Sequence, residues 1–137
     1  MITIPALSMS SEDIERRGGQ GKRTIWLDGS EVMKFASRAM SSAVSDVAAG
    51  AGIGVGDIRL VIPHQANIRI IENAAKRLKL RDDQLFVNVG KYGNTSAASV
   101  LIAYAEALEE SRLQSGDYAA LVAFGAGLAY GAALLKV

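Results

Sequence analysis

The sequence predicts an α/β domain with a mixed, five-stranded sheet, largely parallel, and helices on both faces. Three observations carry that expectation. Short apolar runs rich in β-branched residues alternate with longer segments whose apolar positions recur at helical spacing. Such alternation implies right-handed strand–helix–strand crossovers and parallel neighbours. The last two apolar runs, 118–124 and 129–137, are linked too tightly for a crossover, so they form an antiparallel pair at one side.

Taken in order, residues 8–23 (SMSSEDIERRGGQGKR) are polar and end in glycines, as expected of a connector or a short helix followed by a loop. An N-terminal segment, 1–23, is thereby set apart from one domain, 24–137. Residues 24–28 (TIWLD) read as a strand, and Asp28-Gly29-Ser30 supplies a turn and a helix cap. From Glu31 to Ala49, Val32, Ala36, Ala39, Met40, Ala43, Val44, Val47 and Ala48 follow helical spacing, until glycines at 50, 52, 54 and 56 end the helix. Residues 58–62 (IRLVI) form a buried strand with Pro63 and His64 at its carboxyl end. A second helix is expected over 66–80, with Ile68, Ile71, Ala75 and Leu78 inward. Residues 86–89 read as a further strand, and a third helix covers 95–113. Residues 97–105 (AASVLIAYA) of that helix are apolar or small on every side, which marks a helix buried all round. A two-faced sheet leaves its outer helices one wet side, so the pattern implies cover from another domain.

Composition narrows the class. The chain has 137 residues, 50% of them apolar and 21% charged, which suits one globular domain with a real core. A net charge of +1 gives no overall pull toward nucleic acid or membrane. No apolar run approaches the roughly 20 residues that span a bilayer. Nor does the N-terminus combine a basic region with an apolar stretch, so a soluble cytoplasmic protein is expected. There is no cysteine and one histidine, so neither disulfides, thiolate metal sites nor a multi-histidine metal site can form.

His64 is expected where a parallel strand ends, the edge at which open α/β sheets gather their active sites. Taken alone, it reads equally as a histidine satisfying nearby backbone groups. Asn94 precedes a helix and taken alone reads as an N-cap. Together they sit at the ends of neighbouring strand–helix units, where their side chains can converge. A neutral imidazole N–H and a carboxamide N–H can both donate to one thioester oxygen. Charge builds on that oxygen when a carboxylate α to the carbonyl leaves as carbon dioxide, and two preorganised donors stabilise the enolate.

PHQANIRII (63–71), GKYGNTSAAS (90–99) and AFGAGLAYGAALL (123–135), with LDGSEVMKFA (27–36), resemble 3-oxoacyl-[acyl-carrier-protein] synthase III, the condensing enzyme that starts bacterial fatty-acid synthesis. The resemblance is collinear from about residue 25 onward. It implies the C-terminal half of a thiolase-like fold, with His64 and Asn94 catalytic, in a decarboxylative Claisen condensation of an acyl-coenzyme A starter with malonyl-acyl carrier protein. It also implies that Gly125, Ala126 and Gly127 line the site, and that Asn67 lines the pantetheine channel, a position where helix capping is the equal alternative. Lys34, Arg69, Lys76 and Arg77 would meet the acidic carrier protein, although Met33 stands where the family pattern leads one to expect an aromatic residue. No resident cofactor is implied; coenzyme A and phosphopantetheine thioesters are substrates. The family's nucleophilic cysteine lies in its N-terminal half, so this chain is expected to be inactive alone and to need a cysteine-bearing half in cis or in trans. A homodimer is expected, since a half cut from a shared core exposes apolar surface. Two alternatives stay open: a related enzyme such as 3-hydroxy-3-methylglutaryl-coenzyme A synthase or a polyketide or quinolone starter enzyme, and a non-catalytic dimerisation or carrier-protein-binding module.

Overall fold

The computed structural model describes residues 2–3, 10–16 and 26–137. The remainder of the expected 1–23 connector, and the start of the expected 24–28 strand, lie outside the described residues. A two-residue strand β1 (Ile2–Thr3) pairs antiparallel with β2 (Trp26–Leu27). Between them runs the short helix α1 (Ser11–Arg16), where the Asp13 N–H bonds the Ser10 hydroxyl.

Helix α2 (Gly29–Gly50) starts at Asp28, whose carboxylate accepts the Glu31 N–H at 3.2 Å. Val32, Ala36, Met40, Ala43, Val44 and Ala48 are buried along one stripe, as the helical spacing requires. Strand β3 (Ile58–Pro63) follows, then helix α3 (Ile68–Leu78), the short helix α4 (Val89–Tyr92) and helix α5 (Ala98–Glu109). Strands β4 (Tyr118–Gly125) and β5 (Ala129–Lys136) close the chain. The sheet order is β3-β4-β5, with β3 parallel to β4 and β4 antiparallel to β5. The expected closing hairpin therefore forms, and β4 is central.

The two faces of this sheet carry separate cores. Ala120, Val122 and Phe124 of β4 pack with Ile58 and Val61 against α2 and α3. Leu60 and Ile62 of β3 and Ala119 of β4 turn the other way, onto Phe86 and onto Ala103 and Ala107 of α5. A register shift between Ile58 and Leu60 explains why these two residues, both even-numbered, face opposite sides. Full burial of Met40, Ile58, Ile62 and Ile71 contributes about 1.5–3 kcal/mol apiece against the entropy of ordering the chain. Among the described residues no helix is long and apolar enough to cross a membrane.

Four expectations are corrected. The five-stranded sheet has three strands among the described residues, with β1 and β2 paired apart from it. Residues 86–89 do not form a strand. Beside β3 there is one parallel bridge, Val61 to Leu85, because a side chain takes the backbone groups that a ladder would use. Helix α3 starts at Ile68 rather than 66 and is turned so that Ile70, Ile71 and Ala74 are buried while Ile68 is exposed. Helix α5 is also shorter than the expected 95–113, since residues 95–97 form a turn before it.

Candidate active site

His64 follows β3 directly, and its backbone N–H continues the ladder by donating to Val122 O at 2.7 Å. The ring is half-buried and meets the Phe124 ring edge-on, centroids 5.4 Å apart. Nδ1 lies 2.5 Å from Ser99 Oγ on the first turn of α5. Burial holds the imidazole below its ordinary pKa, so the neutral form prevails at pH 7. Among the described residues Nε2 has no hydrogen-bond partner.

Asn94 is exposed and does not cap α5, whose cap position is Ala97. Its carboxamide oxygen accepts the Ser96 N–H at 2.9 Å. An amide N–H can only donate, so the oxygen must face Ser96 and the NH2 group is left outward as a donor. Gly93 sets the direction of the turn. Its φ of 68° and ψ of −161° lie in a region that is essentially glycine-only. The preceding loop is tied to α5 by Glu106, which accepts from Asn88 Nδ2 at 2.7 Å, from Tyr92 Oη at 3.1 Å and from the Lys91 ammonium. The Lys91 hydrogen bond, and then that of Asn88, hold the Glu106 carboxyl below the usual carboxylate range.

Gln65 couples the two corners. It is 1% exposed, and all four of its side-chain hydrogen-bonding positions are used. Nε2 donates to Pro63 O at 2.8 Å and Phe86 O at 3.2 Å; Oε1 accepts from Asn88 N at 2.9 Å and Val89 N at 3.0 Å. The strand end that carries His64 is thus sewn to the segment that leads to Asn94.

An open cleft of about 950 Å³ runs beside this seam, lined among others by Asn67, Asn88, Gly93, Asn94 and Glu106. Asn67 caps α3, its carboxamide oxygen accepting the Arg69 N–H at 2.9 Å, while also lining the cleft. Gly125 ends β4, next in chain to the Phe124 that touches His64, and Ala126 and Gly127 begin the β4–β5 turn; none of the three is among the cleft's lining residues. Gly127 has φ of +133°, and a Cβ there would meet Ala129 N at 3.3 Å, so this turn needs glycine. Lys34 is exposed and paired with Glu31 at 3.0 Å. Arg69, Lys76 and Arg77 are exposed on α3. Asn73, one turn from each of them, reaches Met33 Sδ at 3.8 Å, which joins their face to the neighbour of Lys34 on α2.

Sequence reasoning singled out His64 and Asn94 but not Ser99, Gln65, Phe124 or Glu106. A signal existed for Ser99: it heads the buried stripe Ser99, Ala103, Ala107, and a lone hydroxyl on an apolar helix face needs a partner.

A family model described as 3-oxoacyl-[acyl-carrier-protein (ACP)] synthase III C terminal matches residues 48–137. The chain is 48% identical over 117 residues to the beta-ketoacyl-[acyl-carrier-protein] synthase III of Roseiflexus castenholzii, covering 85% of this chain and 36% of that one. It superposes on the solved synthase III of Thermus thermophilus with a TM-score of 0.82 at 46% identity, over 85% of this chain and 36% of that one. The 3-oxoacyl-(acyl carrier protein) synthase III of Pseudomonas aeruginosa gives 0.83 at 32% identity, over 99% and 41%. The chain thus spans little more than a third of these relatives, and the thiolase-like fold expected from its motifs is borne out.

Proposed function

This chain belongs to the 3-oxoacyl-[acyl-carrier-protein] synthase III C-terminal family, and from that membership we propose that it supplies His64 and Asn94 to a decarboxylative Claisen condensation. The substrates would be an acyl-coenzyme A starter and malonyl-acyl carrier protein. One observation carries the assignment: each of the two side chains has one end tied to protein and an N–H end left without a partner among the described residues.

The step runs as follows. The bond from the malonyl α-carbon to its carboxylate breaks and releases carbon dioxide, and its electron pair passes into an enolate whose oxygen receives the two N–H donors. The α-carbon then attacks the carbonyl of an acyl group held on a cysteine, the C–S bond breaks, and the thiolate leaves. His64 is kept neutral by burial and Asn94 cannot titrate, so both donate near pH 7 without a proton being exchanged.

Because the chain has no cysteine, the nucleophile must be contributed by a cysteine-bearing half, in cis or in trans. The outer side of α5 supports such a neighbour: Leu101 is 64% exposed and Leu108 40% exposed on a helix whose opposite side packs the sheet. The basic face of Arg69, Lys76 and Arg77 suits an acidic carrier protein, and a homodimer fits the same apolar exposure.

The test is malonyl decarboxylation by the chain joined to a cysteine-bearing synthase half. His64→Ala and Asn94→Ala are each expected to lower the rate on the order of 10²–10³-fold, the usual loss for one oxyanion donor. Decarboxylation that survives both substitutions would remove these residues from the reaction.

A further inference from the structure

We infer that Ser99 is a positioning residue whose hydroxyl donates to His64 Nδ1 and so holds the imidazole as its Nε2–H tautomer. The catalytic consequence rests on the condensing-enzyme reading above; the tautomer itself does not.

The available protons and lone pairs fix the direction of this hydrogen bond. A serine hydroxyl has one proton and two lone pairs. The Gln65 backbone N–H, which can only donate, points at Ser99 Oγ from 3.2 Å and occupies one lone pair. Two arrangements then fit the 2.5 Å contact between Oγ and His64 Nδ1. If Nδ1 carried the proton and donated, both lone pairs would be filled and the hydroxyl proton would have no acceptor among the described residues. Ser99 is 1% exposed, so water does not take that proton, and an unmet buried donor is costly. If instead Oγ–H donates to Nδ1, every group is matched.

Helical serines commonly bond their hydroxyl back to the carbonyl four residues earlier. Ser37, the buried serine of α2, does so, to Met33 O at 2.7 Å. Ser99 makes no such bond among the described residues. Its proton is turned across the fold instead, to a residue 35 positions away in sequence. Nδ1 is thereby the acceptor, and Nε2, which has no other partner among the described residues, carries the N–H. That is the form the proposed reaction needs, since an imidazole with Nδ1 protonated would present a lone pair to the enolate oxygen and repel it. Helix α5 thus serves both donors, through Ser99 to His64 and through Glu106 to the loop of Asn94.

The chain contains one histidine, so ¹⁵N-histidine labelling of the full chain reports a single imidazole. The expected spectrum above neutral pH has a pyridine-like Nδ1 and a pyrrole-like Nε2. A pyrrole-like Nδ1 overturns the inference, as do two nitrogens averaged to the values of an unheld imidazole. Ser99→Ala is expected to lower the ratio of Nε2–H to Nδ1–H tautomer roughly fivefold, the effect of one neutral hydrogen bond, with Ser99→Thr restoring it. The wild-type spectrum decides the tautomer even where a variant fails to fold. In the enzyme joined to its cysteine-bearing half, Ser99→Ala should reduce kcat for decarboxylation by up to about fivefold at unchanged KM. An unchanged kcat would overturn the positioning role. An Nε2–H tautomer in an assembly that never decarboxylates malonyl thioesters would uphold the tautomer and defeat the proposed activity instead, so the two failures are told apart.

Discussion

The corner that carries His64 is an extension of the sheet, whereas the corner that carries Asn94 is a loop held by side chains. His64 is bonded through its backbone to β4, flanked by buried Pro63 and Gln65, and packed on Phe124. Asn94 is exposed, preceded by Gly93, and secured by an Asx turn to Ser96 and by the Glu106 tether behind it. The difference is one of stability. Groups bonded into a core ladder are released only by opening the domain, while a loop held by exposed polar contacts opens locally at far lower free energy. One donor is therefore as firm as the fold, and the other as firm as its loop.

The largest way to break this contrast is at Gln65, where both corners meet. Gln65→Leu removes four buried hydrogen bonds and leaves two carbonyls and two N–H groups without partners. A loss of about 4 kcal/mol or more is expected, read as a lower urea midpoint for the whole domain. A change below about 1 kcal/mol would mean that water replaces the side chain and the corners are independent.

Gly93→Ala should act on one corner only. A Cβ at Gly93 meets nothing within 4 Å, so the expected cost of about 1–3 kcal/mol is purely that of the backbone conformation. Amide exchange should accelerate over residues 88–96 while strands β3 and β4 keep their protection. Equal acceleration in β3 would show that the Asn94 loop is not a separate unit.

The smallest effect is expected at Glu106, whose partner Lys91 is largely exposed and screened by solvent. Since the folded pKa of Glu106 is depressed, its contribution is fully present above the unfolded carboxylate value of about 4.3 and is lost as pH falls through the lower folded value. Exchange in the 88–96 loop should therefore differ between wild type and Glu106→Gln at neutral pH, and the two should converge under acid. A difference that persists below the folded pKa would place the tether elsewhere.

Much of this architecture was legible in order. Helix α2 and strand β3 follow from periodicity, because Val32, Ala36, Met40, Ala43 and Val44 admit one buried stripe and IRLVI admits burial on two faces. Residues 86–89 were misleading for a definite reason. FVNV has the composition of a strand, but Phe86 O, Asn88 N and Val89 N are bonded by the Gln65 side chain rather than by a neighbouring strand. No local pattern announces that a glutamine will stand in for a ladder. The all-apolar run 97–105 signalled a helix with two covered sides; within this chain one side packs through Ser99, Ala103 and Ala107, and Leu101 on the other remains exposed.

By itself, the sequence determined the main helices and strands, residues 86–92 apart, which two residues carry N–H donors at strand and loop ends, and that no thiol accompanies them. Those properties are local, set by side-chain type and spacing along the chain. The tertiary structure alone decided which end of the His64 ring is tied, whereas Asn94 is tied locally, to Ser96 two residues on. Ser99 meets His64 across 35 residues, and Gln65 meets Val89 across 24, only after β3, α5 and the intervening segment have packed. A hydrogen bond's direction depends on which partner already has its proton engaged, and that is a property of the packed assembly of groups rather than of any one residue in the chain.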